Sequence, residues 1–451
     1  MRRPRRKPSP TPMRKGHVPA NAAPIELTIE SVGGHGDGVG HAPVKIGWEE
    51  RERPIYVPFT LPGERVRVQP EADLGTGVAA QPVELIDISA DRIDPVCPHF
   101  ISCGGCALQH WADTPYATWK VDLIRHHLHR VKIEITPEPL VRSAPGSRRR
   151  TDLAARRLKG RTVFGFHQRG AVLIEDIHTC PVLDPILEAR IPAFRAALND
   201  QLGEGASAEV RLNLLDTGID ALLVLPVEPD RAGREAWAAF AEEQDLARLS
   251  FRLLREADGM AEPLAARRDA VIHLGGVAVT PPPGGFLQAT TAGETAIQQV
   301  VLDAAEGTRR RLDLFAGIGT LALPMVAGGP VLAIDGDPSS VTALRAAANA
   351  AGLGDRLRTE IRDLFERPLE GEELVGIDVA VFDPPRAGAK AQVEALAASP
   401  VPVVVGVSCN PATFARDARR LIDGGYRLDR LVPIDQFLWS PHIELAAVFR
   451  R

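Results

Sequence analysis

The sequence predicts a chain of three parts: an N-terminal OB-like β-barrel, a central α+β domain and a C-terminal doubly wound α/β domain. Short strand-like runs with Gly-rich turns between them fill residues 24–88, which suits a small barrel. Strands and helices mix without a repeat between Val141 and Pro283. From about Ala289 apolar strands and helices alternate strictly, the pattern of a parallel sheet covered on both faces. A length of 451 residues agrees with this division, since domains run to roughly 150 residues.

The barrel is read from Ile-Glu-Leu-Thr-Ile29, the Gly-rich stretch 33–40, and strands around Tyr56, Val66 and Leu85. Residues 91–106 form a Cys-rich loop. A helix follows over 116–130, where Tyr116, Trp119 and Leu123 share a face. The central strands are expected at 148–158, 161–168, 171–177, 209–216, 219–227 and 249–256, with helices at 185–202 and 234–244. Seven strands are expected in the C-terminal domain, with helical segments linking the first six.

Composition narrows the class. Hydrophobic residues make up 45% and charged residues 25%, which excludes collagen-like, disordered and disulfide-scaffold chains. No stretch approaches the ~18 apolar residues of a membrane span. A net charge of −5 gives no global sign of a nucleic-acid partner, but residues 1–15 hold seven basic residues and no acid precedes Glu26. Residues 1–23 are read as a disordered basic arm. They lack an apolar core segment, so no secretory signal is expected. Five cysteines in so long a chain do not make a disulfide framework. A cytoplasmic protein is expected, in which clustered cysteines mean metal or catalysis.

Six motifs carry chemistry. Asp313-Leu-Phe-Ala-Gly317-Ile-Gly319-Thr320 ends a strand and opens a helix, and Asp335 ends the next strand. Glycines let the backbone approach a ligand, and an acid at that spacing binds ribose hydroxyls. Asp383-Pro-Pro-Arg386 stiffens the loop after the fourth strand. Ser408-Cys409-Asn410-Pro411 ends the fifth, with the only cysteine beyond the first 180 residues. A thiol at a helix N-terminus is expected to have a lowered pKa and to act as a nucleophile. His442 and Glu444 are spaced to share one face of the last strand, where a carboxylate serves as base. Cys97, Cys103, Cys106 and the distant Cys180 supply four thiols, and zinc and iron–sulfur both suit such a set; Cys180-Pro181 favours iron–sulfur. Gly285-Phe286-Leu287-Gln288 precedes the α/β domain. A basic stretch, Ser147 to Arg150 with Arg156 and Arg157, is expected on exposed strands as a phosphate contact.

Together these residues resemble the RNA uracil-C5 methyltransferase family, above all the branch acting on 23S ribosomal RNA. The resemblance implies a TRAM domain at 24–88 and a central RNA-binding domain at 89–285, with 109–140 packed on a Rossmann-like S-adenosylmethionine (SAM) methyltransferase domain at 286–451. It implies a [4Fe–4S] cluster on Cys97, Cys103, Cys106 and Cys180. It implies SAM contacts from Gln288, Phe315, Gly317, Thr320, Asp335, Asp363 and Asp383, with Cys409 as nucleophile and Glu444 as general base. Thr320 and Asp363 stand where relatives often have Asn. The implied partner is RNA, 23S rRNA before transfer RNA, acted on by a monomer that engages no membrane. The chemistry needs these groups. A thiolate adding at C6 makes C5 of uracil nucleophilic, and a base must then remove the C5 proton. Two other readings stand beside this one: an amino-group N-methyltransferase using Asp383-Pro-Pro, and a non-catalytic iron–sulfur RNA-binding protein.

Overall fold

The computed structural model describes residues 22–46, 49–256 and 259–451. The basic arm expected over 1–23 lies outside the described residues except for Ala22 and Ala23. The chain divides into two compact units. One comprises the residues up to Val96 with Cys106–Trp119 and Trp439–Pro441; the other comprises Cys97–Gly105, Lys120–Leu438 and His442–Arg451.

The first unit holds β1 (Ile25–Thr28), β2 (Ser31–Val32), β3 (Gly38–Ile46), β4 (Glu49–Val57), β5 (Arg65–Asp73) and β6 (Val78–Asp87), in the order β1-β5-β6-β4-β3-β2. Strands β1 and β2 are two pieces of one run interrupted at Ile29 and Glu30. Its first piece pairs with β5 and its second with β3, so the ladder returns to the run it started from. Alternate residues point inward, as a period of two requires, and Leu27, Val44, Ile55, Val66, Val68 and Val78 form the core. The buried Glu64 carboxylate accepts from Arg92 Nε at 2.6 Å and from the Leu61 amide at 2.8 Å.

Next comes α1 (Asp113–Arg130), whose first turns belong to the first unit and whose remainder, from Lys120, belongs to the second. In the second unit Ile124, Leu128 and Ile133 are buried against Val393, Phe414 and Leu421. The two-residue strand β7 (Val141–Arg142) then follows.

The second unit contains two large sheets. The first is built from β8 (Arg150–Leu158), β9 (Arg161–His167), β10 (Ile174–Asp176), α2 (Pro185–Glu188), α3 (Ile191–Gln201), β11 (Ser207–Leu215), β12 (Gly218–Leu225), α4 (Arg231–Glu243), β13 (Leu246–Leu253) and β14 (Glu262–Ala266). Its order is β10-β9-β8-β11-β12-β13-β14. Phe194 on α3 and Trp237 on α4 both meet Phe240 edge-on, at 4.9 and 5.5 Å. The single helix expected at 185–202 is two, because Pro192 sits in the first turn of α3 and cannot continue α2. A hairpin of β15 (Ile272–Leu274) and β16 (Val277–Val279) follows.

The other sheet begins after α5 (Thr291–Ala305). It contains β17 (Arg311–Leu314), β18 (Val331–Asp335), β19 (Leu357–Ile361), β20 (Val379–Phe382), β21 (Val403–Ser408), β22 (Arg427–Asp435) and β23 (Glu444–Arg450). Its helices are α6 (Ala322–Met325), α7 (Pro338–Ala350), α8 (Lys390–Ala398) and α9 (Pro411–Asp423). The strand order is β19-β18-β17-β20-β21-β23-β22-β7. Strands β17 to β22 run parallel, β23 is inserted antiparallel, and β7 adds a parallel edge. Order reverses between β17 and β20, the switch point where such sheets bind ligands beyond the strands' carboxyl ends. Two expected linking helices are curtailed. Helix α6 has four residues with Pro324 inside it, and β19 reaches β20 through a 3-10 turn, Gly371–Leu374; Gly371 in it and Gly376 after it have positive φ. Among the described residues no helix is long and apolar enough to cross a membrane.

One glycine shows how tightly the switch point is packed. Gly319 has φ +93°, and a Cβ there would fall 2.4 Å from Leu344 Cδ1; at Gly317 (φ +53°) nothing lies within 4 Å. Gly319→Ala should therefore cost about 1–3 kcal/mol of stability in urea melts, and Gly317→Ala less than that. Equal effects of the two substitutions would contradict this packing.

Candidate active site

Strands β17, β18, β20, β21 and β22 all end at one edge, and the antiparallel β23 begins there. The edge therefore collects Phe315, Asp335, Asp383, Cys409, Gln436 and Glu444 without any of them being near neighbours in sequence.

The β17 end turns sharply: Phe315 has φ +63° and Gly317 φ +53°. The Gly317 amide donates to Asp335 Oδ2 at 2.8 Å, and the Asp337 amide to Asp335 Oδ1 at 2.7 Å. Asp335 thus ties the Gly-rich turn to the β18 end. The Phe315 ring lies 5.4 Å from Phe365, and the Phe365 amide donates to Asp363 Oδ1 at 2.9 Å. Two aromatic rings flanked by two carboxylates suit a nucleoside with hydroxyls to bind. Phe365 was not among the expected residues; its signal is an aromatic two positions after Asp363. Thr320 contributes its carbonyl, which accepts from Gln298 Nε2 at 3.0 Å.

Beside these residues stands a chain of amides and carboxylates, buried at Gln288, Gln436 and Glu444 and half-buried at Asp383. Gln288 Nε2 donates to Asp383 Oδ2 at 3.0 Å. Gln436 Nε2 donates to Gln288 Oε1 and to Glu444 Oε2, both at 2.9 Å, and Gln436 Oε1 accepts from the Ala289 amide at 3.0 Å. Gln436 is central here, yet it lies in no recognised motif; a polar residue directly after the apolar end of β22 was its only signal.

Arginines hold the Gln288 segment in place. Arg149 donates from Nε to the Gln288 carbonyl at 3.1 Å and from Nη2 to Glu294 at 2.5 Å. Arg150 donates to the Leu287 carbonyl at 3.1 Å, with its guanidinium 4.6 Å from the Phe286 ring. The expected phosphate contact is therefore corrected at Arg149 and Arg150, while Arg156 of the same stretch is exposed. Arg149 is only 8% exposed, and its charge is committed to Glu294 and a backbone carbonyl.

Cys409 precedes α9, whose N-cap Asn410 accepts from the Ala412 amide at 3.1 Å. The lowered thiol pKa expected from this position is overturned. Burial pushes the Cys409 thiol up to about 11, and the negative charges of Glu444 and Asp383 add to the rise; only Arg386 and a backbone amide oppose it. The carboxyls are displaced in the same direction. Burial raises Asp383 to about 6 against the Gln288 hydrogen bond. Burial and then the Asp383 charge raise Glu444 well above the carboxylate range, with Gln436 opposing. Glu444 Oε1 is buried and has no hydrogen-bond partner among the described residues. Asp313 is raised by burial and then by Asp383 and Asp335; among the described residues no hydrogen bond meets its oxygens, though the Ala322 amide lies close enough to oppose the shift.

His442 is not on the last strand, which starts at Glu444. Pro441 precedes it in a loop, so the expected shared face does not form. The His442 ring meets Phe437 edge-on at 6.2 Å, and its carbonyl accepts from Lys120. Lys120 Nζ also lies 2.9 Å from Asp435 Oδ1, a fully buried ion pair that sequence reading missed.

Cys97, Cys103 and Cys180 lie in the second unit and Cys106 in the first; none of the four is in a disulfide. Backbone amides serve three of the sulfurs: His99 for Cys97, Gly105 for Cys103 at 3.4 Å, and Val182 and Leu183 for Cys180. Burial raises each of these thiols, Cys103 to about 11, and the thiolate charges repel one another. The donor chemistry suits a thiolate-held group. Among the described residues, however, no group of three or more His, Cys, Asp or Glu is arranged to hold a metal ion.

Comparisons with known proteins agree with this geometry. A family model described as tRNA (Uracil-5-)-methyltransferase matches residues 359–451. An uncharacterized RNA methyltransferase of Caulobacter vibrioides is 39% identical over 434 residues, covering 94% of this chain and 100% of that protein. The 23S rRNA (uracil(1939)-C(5))-methyltransferase of Chromohalobacter salexigens is 34% identical over 451 residues, covering 94% of this chain and 89% of that protein. Among solved structures, the Pyrococcus abyssi tRNA (uracil-54, C5)-methyltransferase in complex with S-adenosyl-L-homocysteine superposes with a TM-score of 0.70 at 23% identity, covering 94% of this chain and all of that one, a likeness of fold.

The electrostatics of Cys409 give a direct test. Its alkylation by iodoacetamide, followed by peptide mass, should be slow at pH 8 and rise toward pH 11. Asp383→Asn removes an anion that disfavours the thiolate, so the rate at pH 8 should increase, by about tenfold if the pKa falls one unit. An unchanged or slower rate would contradict the assigned cause.

Proposed function

The chain belongs to the RNA methyltransferase family that includes the 23S rRNA uracil-C5 enzyme, and from that premise we propose that it methylates C5 of a uridine in 23S rRNA. The observation that carries this reading is the placement of one thiol, Cys409, beside two carboxyls, the half-buried Asp383 and the buried Glu444, at the strand edge that also carries Phe315 and Asp335. An amino-group methyltransferase needs no such thiol.

The trench of Phe315, Gly317, Thr320, Asp335 and Asp363 would hold SAM, with Gln288 and Asp383 at its reactive end. Bound SAM supplies an electrophilic methyl group. Cys409 gives up its thiol proton to water and adds as the thiolate to C6 of the uracil, forming an S–C6 bond and moving the C5–C6 electron pair into an enolate across C4 and C5. C5 then forms its bond to the methyl carbon as the sulfonium S–CH3 bond breaks, its electron pair staying on sulfur to give S-adenosylhomocysteine. Glu444 takes the C5 proton, the electron pair re-forms the C5–C6 double bond, and Cys409 leaves. A carboxyl raised by burial is suited to this step, because its basicity is higher than that of an exposed one. Gln436 holds Glu444 Oε2, which leaves Oε1 for the proton. The uridine has to leave its stack to reach this edge.

The self-returning β ladder at 24–88 is assigned as a TRAM-type barrel for RNA, and residues 89–285 as a second RNA-binding region. Cys97, Cys103, Cys106 and Cys180 are assigned to a [4Fe–4S] cluster; the reading is supported by the absence of a disulfide among the four and by the backbone amides donated to three of them. The methyl transfer moves no electrons between centres, so the cluster organises its loop and takes no part in the chemistry.

Methyl transfer from labelled SAM to unmodified 23S rRNA and transfer RNA in parallel, with the nucleoside mapped, tests the substrate. Labelling of 23S rRNA as 5-methyluridine is expected. Labelling of transfer RNA alone would move the assignment to that RNA, and label on an exocyclic amine would remove the chemistry. Protein purified without oxygen should contain iron and acid-labile sulfide at about four each per chain. Stoichiometric zinc without sulfide would contradict the cluster.

A further inference from the structure

Lys120 and Asp435 are both completely buried, and their charged ends lie 2.9 Å apart. A buried ion pair is weak as a source of stability, because removing two charges from water costs as much as their attraction returns. What distinguishes this pair is where the remaining donors of the ammonium go. Nζ also donates to the Phe437 carbonyl at 3.3 Å and to the His442 carbonyl. An ammonium has three hydrogens, and here they meet Asp435, Phe437 and His442.

Those three residues enclose the loop between β22 and β23. Gln436, which holds Glu444 Oε2, is the residue after Asp435, and Glu444 is the second residue after His442. Lys120 therefore fixes the two backbone points from which the Gln436 and Glu444 side chains depart. It does so from α1, outside the motifs that carry the chemistry.

We propose that Lys120 is a positioning residue for proton removal by Glu444, acting through a clamp on the ends of the β22–β23 loop. The proposal rests on the reading of Glu444 as base. It predicts a selective defect: attack and methyl transfer proceed, while release of the product from Cys409 slows.

The test uses the full-length protein and an unmodified RNA substrate, with intact-complex mass to read free protein, covalent adduct and methylated adduct. Two variants are compared. Lys120→Met removes the clamp, and Lys120→Met with Asp435→Leu removes it without leaving a buried carboxylate alone. In both, the methylated adduct should accumulate and kcat should fall about tenfold or more, with KM for SAM within about twofold of wild type. Product release at the wild-type rate in either variant would overturn the proposal. Loss of SAM binding together with release in both variants would reduce Lys120 to a role in fold stability and overturn it equally. Failure of the wild-type protein to form any adduct with 5-fluorouridine RNA would instead remove the proposed reaction, so the two failures are distinguishable.

Discussion

The side-chain amide of Gln288 is gripped from both sides: it donates to Asp383 and accepts from Gln436, which in turn donates to Glu444. This run of hydrogen bonds joins the segment before α5, the loop after β20, the end of β22 and the start of β23. Each buried amide satisfies a carboxyl that would otherwise be left without a partner, and an unmet polar group in such a place costs about 1–3 kcal/mol. The position of Gln288 depends in turn on Arg149 and Arg150, which bond the carbonyls of Gln288 and Leu287. The central sheet thus contributes to the active site by fixing the backbone that carries Gln288.

The same geometry dictates the electrostatics. A parallel sheet delivers the ends of several strands to one edge, and here three of them bring carboxyls, Asp313 and Glu444 buried and Asp383 half-buried. With few cations nearby, burial drives all three upward, and the thiol of Cys409 rises with them. A raised carboxyl is a poor neighbour for a thiolate and a good acceptor for a carbon-bound proton. This electrostatic arrangement suits the release step of the proposed reaction, and burial with the same carboxyls raises the Cys409 thiol.

Much of this was legible in the sequence wherever the signal was local. The Gly-rich turn at Gly317 and Gly319, the Pro-Pro after Asp383 and the Asn-Pro after Cys409 each mark a strand end, and strand ends are where the side chains meet. Other features depend on distant partners. Lys120 meets Asp435 across 315 positions, and Val141 pairs beside Ile434, so neither could be read from spacing. Arg149 looks like one more residue of a basic run until Glu294 and the Gln288 carbonyl are brought to it. The pKa of Cys409 was misjudged for the same reason. Its place at a helix start was visible, whereas the carboxyls that outweigh that effect come from β20 and β23. His442 failed through a local signal that was overlooked: Pro441 keeps the strand from starting before Glu444.

The central claim is that Cys409 is the nucleophile at this carboxyl-lined edge. The most direct measurement is covalent capture with SAM and RNA in which the target uridine is replaced by 5-fluorouridine, followed by digestion and mass mapping of the modified peptide. Fluorine at C5 cannot leave as a proton does, so methylated RNA should remain attached to the protein. The account predicts one adduct carrying the methyl group, on the peptide containing Cys409, and none with Cys409→Ala. Normal capture by that variant, or an adduct on another residue, would contradict it.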